Sequence, residues 1–239
     1  MTTPTAAMLV IGDEILSGRT RDANMYHLAG MLTKAGIDLK ELRVVSDDRD
    51  AIVGAVNDLR ARFTHVITSG GIGPTHDDIT ADSIAAAFGT GIGIRDDARA
   101  IMQARAERTG SELNAARLRM ARIPDGATLI HNPISGAPGF SLGNVHVMAG
   151  VPAIFQAMVA EVLPKLDGGV PVESRTLRVP SPEGMVAGPL AEIAAIHPDV
   201  SIGSYPFIED GMYGTNLVVR SRDRAALETA FAALQASFG

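Results

Sequence analysis

Thr68-Ser-Gly-Gly-Ile-Gly-Pro-Thr-His-Asp-Asp-Ile-Thr80 is the most informative segment of the chain. Ahead of it, His65–Thr68 (HVIT) reads as a short, buried strand. Gly70, Gly71 and Gly73 break that strand, and a helix is expected from about Thr80 to Phe88. A strand, a glycine loop and a helix start together offer backbone N–H groups and a favourable dipole to a phosphate. The loop lacks the Gly-Lys-Ser/Thr of a Walker A motif, and its glycine spacing does not fit G-x-G-x-x-G. The adjacent carboxylates of Asp77 and Asp78 would repel a phosphate unless a divalent cation sat between them. Mg²⁺ or another divalent cation is therefore expected at Asp77 and Asp78. Ser69, Gly70, Gly71, Gly73 and Thr75 are the expected phosphate cradle. The same pattern also reads as a plain glycine turn followed by Asp and Thr helix caps.

Outward from this loop, short apolar strands alternate with helical stripes. Met8–Ile11 (MLVI) is a first strand that stops at Gly12. A helix from Asn24 carries Met25, Leu28, Leu32 and Ala35, and ends at Gly36. Ile37–Val45 is a second strand, and Ile52, Val56, Leu59 and Phe63 form a helical stripe. Helical segments are expected over Arg95–Arg108 and Glu112–Arg122, strands over Thr128–Ile130 and Val145–Met148, and a helix over Val151–Leu166. This alternation predicts an α/β domain with a mostly parallel sheet covered on both faces. Ligands of such sheets sit beyond the carboxyl ends of the strands.

Four further segments carry polar or conformationally special residues. Gly12 and Asp13 open a loop in which Glu14, Ser17, Asp22 and Asn24 also face the expected crevice; Asp22 alternatively caps the following helix. In Ser46-Asp-Asp-Arg-Asp50, Asp47 could serve a metal or a proton transfer, while Asp48 or Asp50 caps the next helix. Asn132-Pro-Ile-Ser-Gly-Ala-Pro-Gly-Phe140 is a rigid loop exposing backbone amides, with Asn132 and Gly139 as ligand candidates. Gly150 and Pro152 mark a strand end and a helix start, a second candidate anion site. Of the arginines between Arg95 and Arg122, Arg119 is the one expected to reach a phosphate.

Asp167-Gly-Gly-Val-Pro171 reads as a linker, which divides the chain into residues 1–166 and a small α+β module at 170–239. The module is expected to hold a strand at Arg175–Val179, a helix at Pro189–Ile196, strands at Val200–Tyr205 and Asn216–Arg220, and a helix at Arg224–Phe238. A module of this size is marginal alone and is expected to pack on the first domain or on a second subunit.

Composition narrows the function classes. The chain has no cysteine, which removes disulfides, thiolate nucleophiles and cysteine-ligated metals. Its six histidines follow no zinc-ligand spacing. The net charge of −6 argues against a nucleic-acid partner. No apolar run is long enough to span a membrane, and the N-terminus lacks the basic region of a signal peptide. A cytoplasmic protein is expected.

The stretches Gly12-Asp-Glu-Ile-Leu-Ser-Gly18, Ser69–Thr80, Asn132–Phe140 and Ala149-Gly-Val-Pro152, in this order, resemble the molybdopterin-binding superfamily of molybdenum-cofactor biosynthesis proteins. The nearer resemblance is to the N-terminal domain of the competence/damage-inducible protein A (CinA) family, over about Ala7 to Leu166. The chain ends at Gly239 without a counterpart of that family's C-terminal amidase domain, so amidase activity is not expected. The resemblance implies a three-layer αβα fold, a homo-oligomer (dimer or trimer), and a crevice for a phosphorylated pterin such as molybdopterin, or for a nucleotide. It places the family's reactive aspartate on Asp78 and a second on Asp47. The implied activity is metal-dependent hydrolysis of an ADP-ribose-type pyrophosphate. The alternatives are molybdopterin adenylylation, or ligand binding without turnover.

Overall fold

The computed structural model describes residues 3–239, which form two compact units, 3–169 and 170–239. The elements of the first unit are, in chain order, β1 (Thr5–Ile11), α1 (Asp13–Leu16), α2 (Asn24–Lys34), β2 (Asp38–Val45), α3 (Arg49–Arg62), β3 (His65–Ser69), α4 (Thr80–Phe88), β4 (Ile92–Ile94), α5 (Asp96–Thr109), α6 (Ala115–Leu118), β5 (Arg122–Pro124), β6 (Thr128–Ile130), β7 (Gly139–Leu142), β8 (Val145–Met148) and α7 (Pro152–Val162).

Six of these strands form one sheet in the order β2-β1-β3-β8-β7-β6. The first four run parallel, and β7 runs antiparallel to both β8 and β6. Strand β1 is apolar from Ala6 to Ile11 because both of its faces are covered there. Ala7, Leu9 and Ile11 pack with Ile52, Val56 and Leu59 of α3, Ile84 of α4 and Met102 of α5. Ala6, Met8 and Val10 pack on the other face with Leu28 and Leu32 of α2 and with Phe155, Met158 and Val159 of α7. The result is a helix–sheet–helix sandwich. Each fully buried Leu, Ile or Phe contributes roughly 1.5–3 kcal/mol of transfer free energy to it.

The strand register fixes where a ligand can lie. Ile11 pairs with Val45, Val10 with Ser69, and Ser69 with Met148. The segments that follow β1, β2, β3 and β8 therefore leave the same edge of the sheet. The chain passes from β1 to β2 on one side and places β3 on the other, so a crevice opens at that edge between β1 and β3.

The second unit is a β-α-β-β-α module: β9 (Glu173–Val179), α8 (Glu183–Ile196), β10 (Ser201–Glu209), β11 (Met212–Ser221) and α9 (Arg224–Phe238). Its antiparallel sheet has the order β10-β11-β9. Val186, Leu190 and Ile193 of α8 and Leu227, Ala230 and Leu234 of α9 bury Leu217, Val219 and Val179. Asp223 caps α9 by accepting from Ala225 N and Ala226 N at 2.8 and 3.2 Å.

Three expected helices differ from the structure, and the sequence expectation has no counterpart of β4 or β7. Glu112–Arg122 is not one helix. It holds the single turn α6, a 3-10 turn at Arg119–Ala121, and then β5, which pairs antiparallel with β4. The helix expected to run to Leu166 leaves α-geometry at Val162, one residue before Leu163-Pro164, and continues as a 3-10 turn; Pro164 has no N–H to donate. Helix α8 starts at Glu183, directly after Pro182, and carries Pro189 in its interior rather than at its start. No helix among the described residues is long and apolar enough to cross a membrane.

Candidate functional site

The glycine loop is built by its own backbone constraints. Gly70 has φ +111 and Gly71 φ +67, values that L side chains rarely adopt. A Cβ on Gly70 would collide with the Ile11 carbonyl, and one on Gly71 with the Thr80 hydroxyl. Thr80, the buried first residue of α4, closes the loop at its base. Its Oγ1 donates to Gly70 O at 3.0 Å, and its N–H donates to Gly71 O at 3.0 Å. Residues 72–79 are thereby held as an excursion between β3 and α4.

Within that excursion, Thr75 N and Thr75 Oγ1 both donate to Asp78 Oδ2, at 2.8 and 2.5 Å. The Asp78 carboxylate lies flat on Gly73, where a Cβ would stand 2.6 Å from Oδ2. Gly73 is thus the glycine that makes room for Asp78.

The neighbouring loops are tied to this one by Asn24, which is 3% exposed. Its Nδ2 donates to Ser69 Oγ at 2.7 Å and to Gly150 O at 2.8 Å. Gly150 in turn passes so close to Gly70 that a Cβ would lie 3.3 Å from its Cα. One side chain therefore fixes the start of α2 to the ends of β3 and β8. The loop after β6 is organised by Asn132. Its Nδ2 donates to Ser135 Oγ and Ala137 O, and its Oδ1 accepts from Ile134 N and Ser135 N, at 2.6 to 3.1 Å.

These loops enclose a cavity of about 530 Å³, within the usual range for a small-molecule site. Gly70, Gly71, Gly73 and Asp78 line one side, and Asn132, Ser135, Gly150 and Pro152 another. Ile72, Pro74, Met120, Val151 and Ile154 give it apolar walls. The charged lining is Glu14, Asp78 and Arg117, so carboxylates outnumber the single cation. Helix α7 begins at the cavity with Pro152 in its first turn, which leaves its N-terminal dipole facing the lining.

Beyond Glu14, more acidic groups gather after β1 and β2. Asp47 Oδ2 accepts from Asp13 N at 3.0 Å. Burial first, and then the charges of Glu14, Asp13 and Asp77, push the Asp47 carboxyl above its ordinary range; the bond from Asp13 N opposes them. Asp48 caps α3 by accepting from Ala51 N at 2.9 Å. Asp22 accepts from Met25 N at 2.9 Å at the start of α2. Among the described residues, no three His, Asp or Glu side chains converge as a metal-binding group. What the donors do fit is a cation completed by ligand phosphate oxygens, the usual arrangement for Mg²⁺ beside one or two carboxylates. Asp78 is the carboxylate of the loop that lines the cavity; Asp77 is exposed and lies outside it.

Of the residues singled out from the sequence, Glu14, Gly70, Gly71, Gly73, Asp78, Asn132, Gly150 and Pro152 meet at the cavity. The others take different places. The Thr75 hydroxyl is committed to Asp78, and Ser69 accepts from Asn24 beneath the loop. Gly139 lies in β7, where a Cβ would strike the Val147 carbonyl, so its role is packing within the sheet. Gly12 is buried and bonds Val45 O through its N–H, and Asp47 fixes the start of α1. Asp13 is exposed and outside the cavity. Arg119 faces an adjoining small chamber, and Arg117 takes the cavity position instead. Thr20, Arg117, Met120 and Ser135 are lining residues without a sequence signal, since their place follows from how short turns fold back over the sheet edge.

Comparison with known proteins agrees with this architecture. Residues 7–168 match the family described as the probable molybdopterin binding domain. The chain belongs to that family. Residues 171–239 match the FAD synthase middle domain. The CinA-like protein of Citrifermentans bemidjiense is 41% identical over 167 residues, covering 68% of this chain and 40% of that protein. The probable FAD synthase of Caenorhabditis elegans is 32% identical over 258 residues, covering 97% of this chain and 49% of that protein. The chain thus spans about half or less of the length of these two relatives. Among solved structures, CinA from Thermoplasma acidophilum, titled as a protein of unknown function, is 33% identical with a TM-score of 0.62. The match covers 68% of this chain and 98% of that one. Family membership therefore rests on the first unit, and the second unit resembles a module found in FAD synthase.

Proposed function

We propose that the cavity binds a nucleotide with a phosphoanhydride, of the ADP-ribose type, and that the site hydrolyses it with a divalent cation. The observation that carries this reading is the convergence of the clamped glycine loop, Asp78 and an apolar wall on one cavity of ligand size. Backbone N–H groups of Gly71–Gly73 suit one phosphate. The α7 start and Arg117 suit the second. Ile72, Met120, Val151 and Ile154 suit a planar ring. The lining carries more negative than positive charge, so a pyrophosphate would enter with its own counter-cation. When bound, that cation would supply charge neutralisation at the phosphorus. The chain's own part is to hold the phosphates, exclude water from the ring and keep Asp78 beside the anhydride. The resemblance of the second unit to part of an FAD synthase supports a nucleotide ligand over a free pterin.

The family's description favours a second reading, in which a phosphorylated pterin such as molybdopterin occupies the cavity and is held or adenylylated. Thermal shift with ADP-ribose, molybdopterin and ATP, each with and without Mg²⁺, separates the two. A ligand at 100 times its dissociation constant adds about 2.7 kcal/mol of stability. A Mg²⁺-dependent shift and turnover with ADP-ribose support the first reading. A shift with molybdopterin alone replaces it with the second.

A further inference from the structure

Behind the glycine loop lies a second space of about 20 Å³, sharing Gly71, Gly73 and Asp78 with the main cavity. Its own lining includes Ala81, Asp82, Arg119, Arg122 and Phe140. The volume is that of one water molecule and excludes a phosphate. Arg122 is ion-paired with Asp82 through an Nη, yet its Nε–H is buried and has no partner among the described residues. Asp78 Oδ2 takes both bonds from Thr75, which leaves Oδ1 as a free acceptor. A buried donor and a free carboxylate oxygen beside a water-sized space make a polar site for one water.

We infer that this chamber holds the attacking water of the hydrolysis, with Arg122 and Asp82 as the pair that positions it. The inference rests on the hydrolytic reading above. In the step, the water oxygen bonds to the phosphorus held at Gly71–Gly73. One water proton passes to a non-bridging oxygen of the phosphates, and the bond from phosphorus to the bridging oxygen breaks. That oxygen leaves with the electron pair, as part of the departing phosphate. No further reactant is needed.

The test uses the full chain with two independent changes, Arg122→Met and Ala81→Val. The first keeps the side-chain stem and removes the Nε–H; the second fills the chamber. Affinity is measured by calorimetry with the α,β-methylene analogue of ADP-ribose and Mg²⁺, and turnover with ADP-ribose itself. Both variants are expected to bind the analogue within about twofold of the unmodified chain, with KM changed as little. Their kcat is expected to fall roughly 100-fold, the usual effect of removing one oriented donor or its partner. Wild-type kcat in both variants would show a structural water only and overturn the inference. Binding of the analogue by the unmodified chain without any hydrolysis of ADP-ribose would instead remove the hydrolytic reading, and the chamber's role with it.

Discussion

His146 on β8 makes acid a specific perturbation of the first unit. Its imidazole is 6% exposed. Nδ1 pairs with Ser141 Oγ at 2.9 Å, and Nε2 is buried with no partner among the described residues. The His65 ring lies 5.6 Å away. Burial first, and then the charge of His65, lower the His146 pKa from 6.5 to about 4. The unfolded chain therefore takes up a proton near pH 6.5, while the folded chain resists it until about pH 4. Stability linked to this group is complete above pH 6.5, falls as the pH drops through that window, and is fully lost below about 4. The loss amounts to about 2 kcal/mol at pH 5 and about 3 kcal/mol below pH 4. His146→Gln cannot take up the proton. Urea unfolding followed by circular dichroism at pH 7.5 and 5.0, on both proteins, isolates the effect. Other groups titrate alike in the two, so the unmodified chain is expected to lose about 2 kcal/mol more than the variant. His65→Gln, by removing the neighbouring charge, should recover part of that difference. Equal losses in the unmodified chain and His146→Gln would show that this imidazole is not held neutral by burial.

Four other outcomes are expected. Thr80→Val leaves the Gly70 carbonyl without its buried donor, which costs about 1–3 kcal/mol; it should also weaken ADP-ribose binding, and a variant unchanged in both melts and calorimetry would remove the clamp. Asp78→Asn keeps an acceptor for Thr75, so binding and melting temperature should persist while turnover is lost; normal turnover would take Asp78 out of the chemistry. Asn24→Ala frees Ser69 and Gly150 together at about 2 kcal/mol, and should raise amide hydrogen exchange in the loops after both β3 and β8; a change confined to α2 would contradict the tie. The chain should elute as a dimer or a trimer by light scattering at micromolar concentration, and a monomer would refute that expectation.

The centre of the sheet was legible because β1, β3 and β8 are short, apolar and bounded by glycine, whereas β7 was hidden at the end of the loop read over Asn132–Phe140. Met8–Ile11 and His65–Thr68 could hardly be anything but buried strands. The segment from Glu112 to Arg122 was not legible, because its residues satisfy a helical period while β5 exists only through its three-residue pairing with β4. The candidate site was half legible for a related reason. Glycines mark places where the backbone comes close to something, but the sequence does not say to what. At Gly70 and Gly71 the close neighbours are Ile11 and Thr80, and at Gly139 it is Val147. Asn132 stood out correctly as a special residue, yet all its side-chain bonds are spent on its own loop. Arg117 and Arg119 are indistinguishable in sequence, since only the turn from α6 into 3-10 geometry decides which one meets the cavity.

The Thr80 clamp separates the frame of the glycine loop from its tip. Both bonds of the clamp end on backbone carbonyls, those of Gly70 and Gly71. Ile72 and Ile79 anchor the two limbs against the sheet core. Pro74, Thr75, His76 and Asp77 are exposed and add nothing to that frame. The tip is therefore separable from its frame. Of its four residues only Pro74 lines the cavity and Thr75 sets Asp78, so a change at Pro74 alters the crevice while the strand, the clamp and the helix start stay as they are.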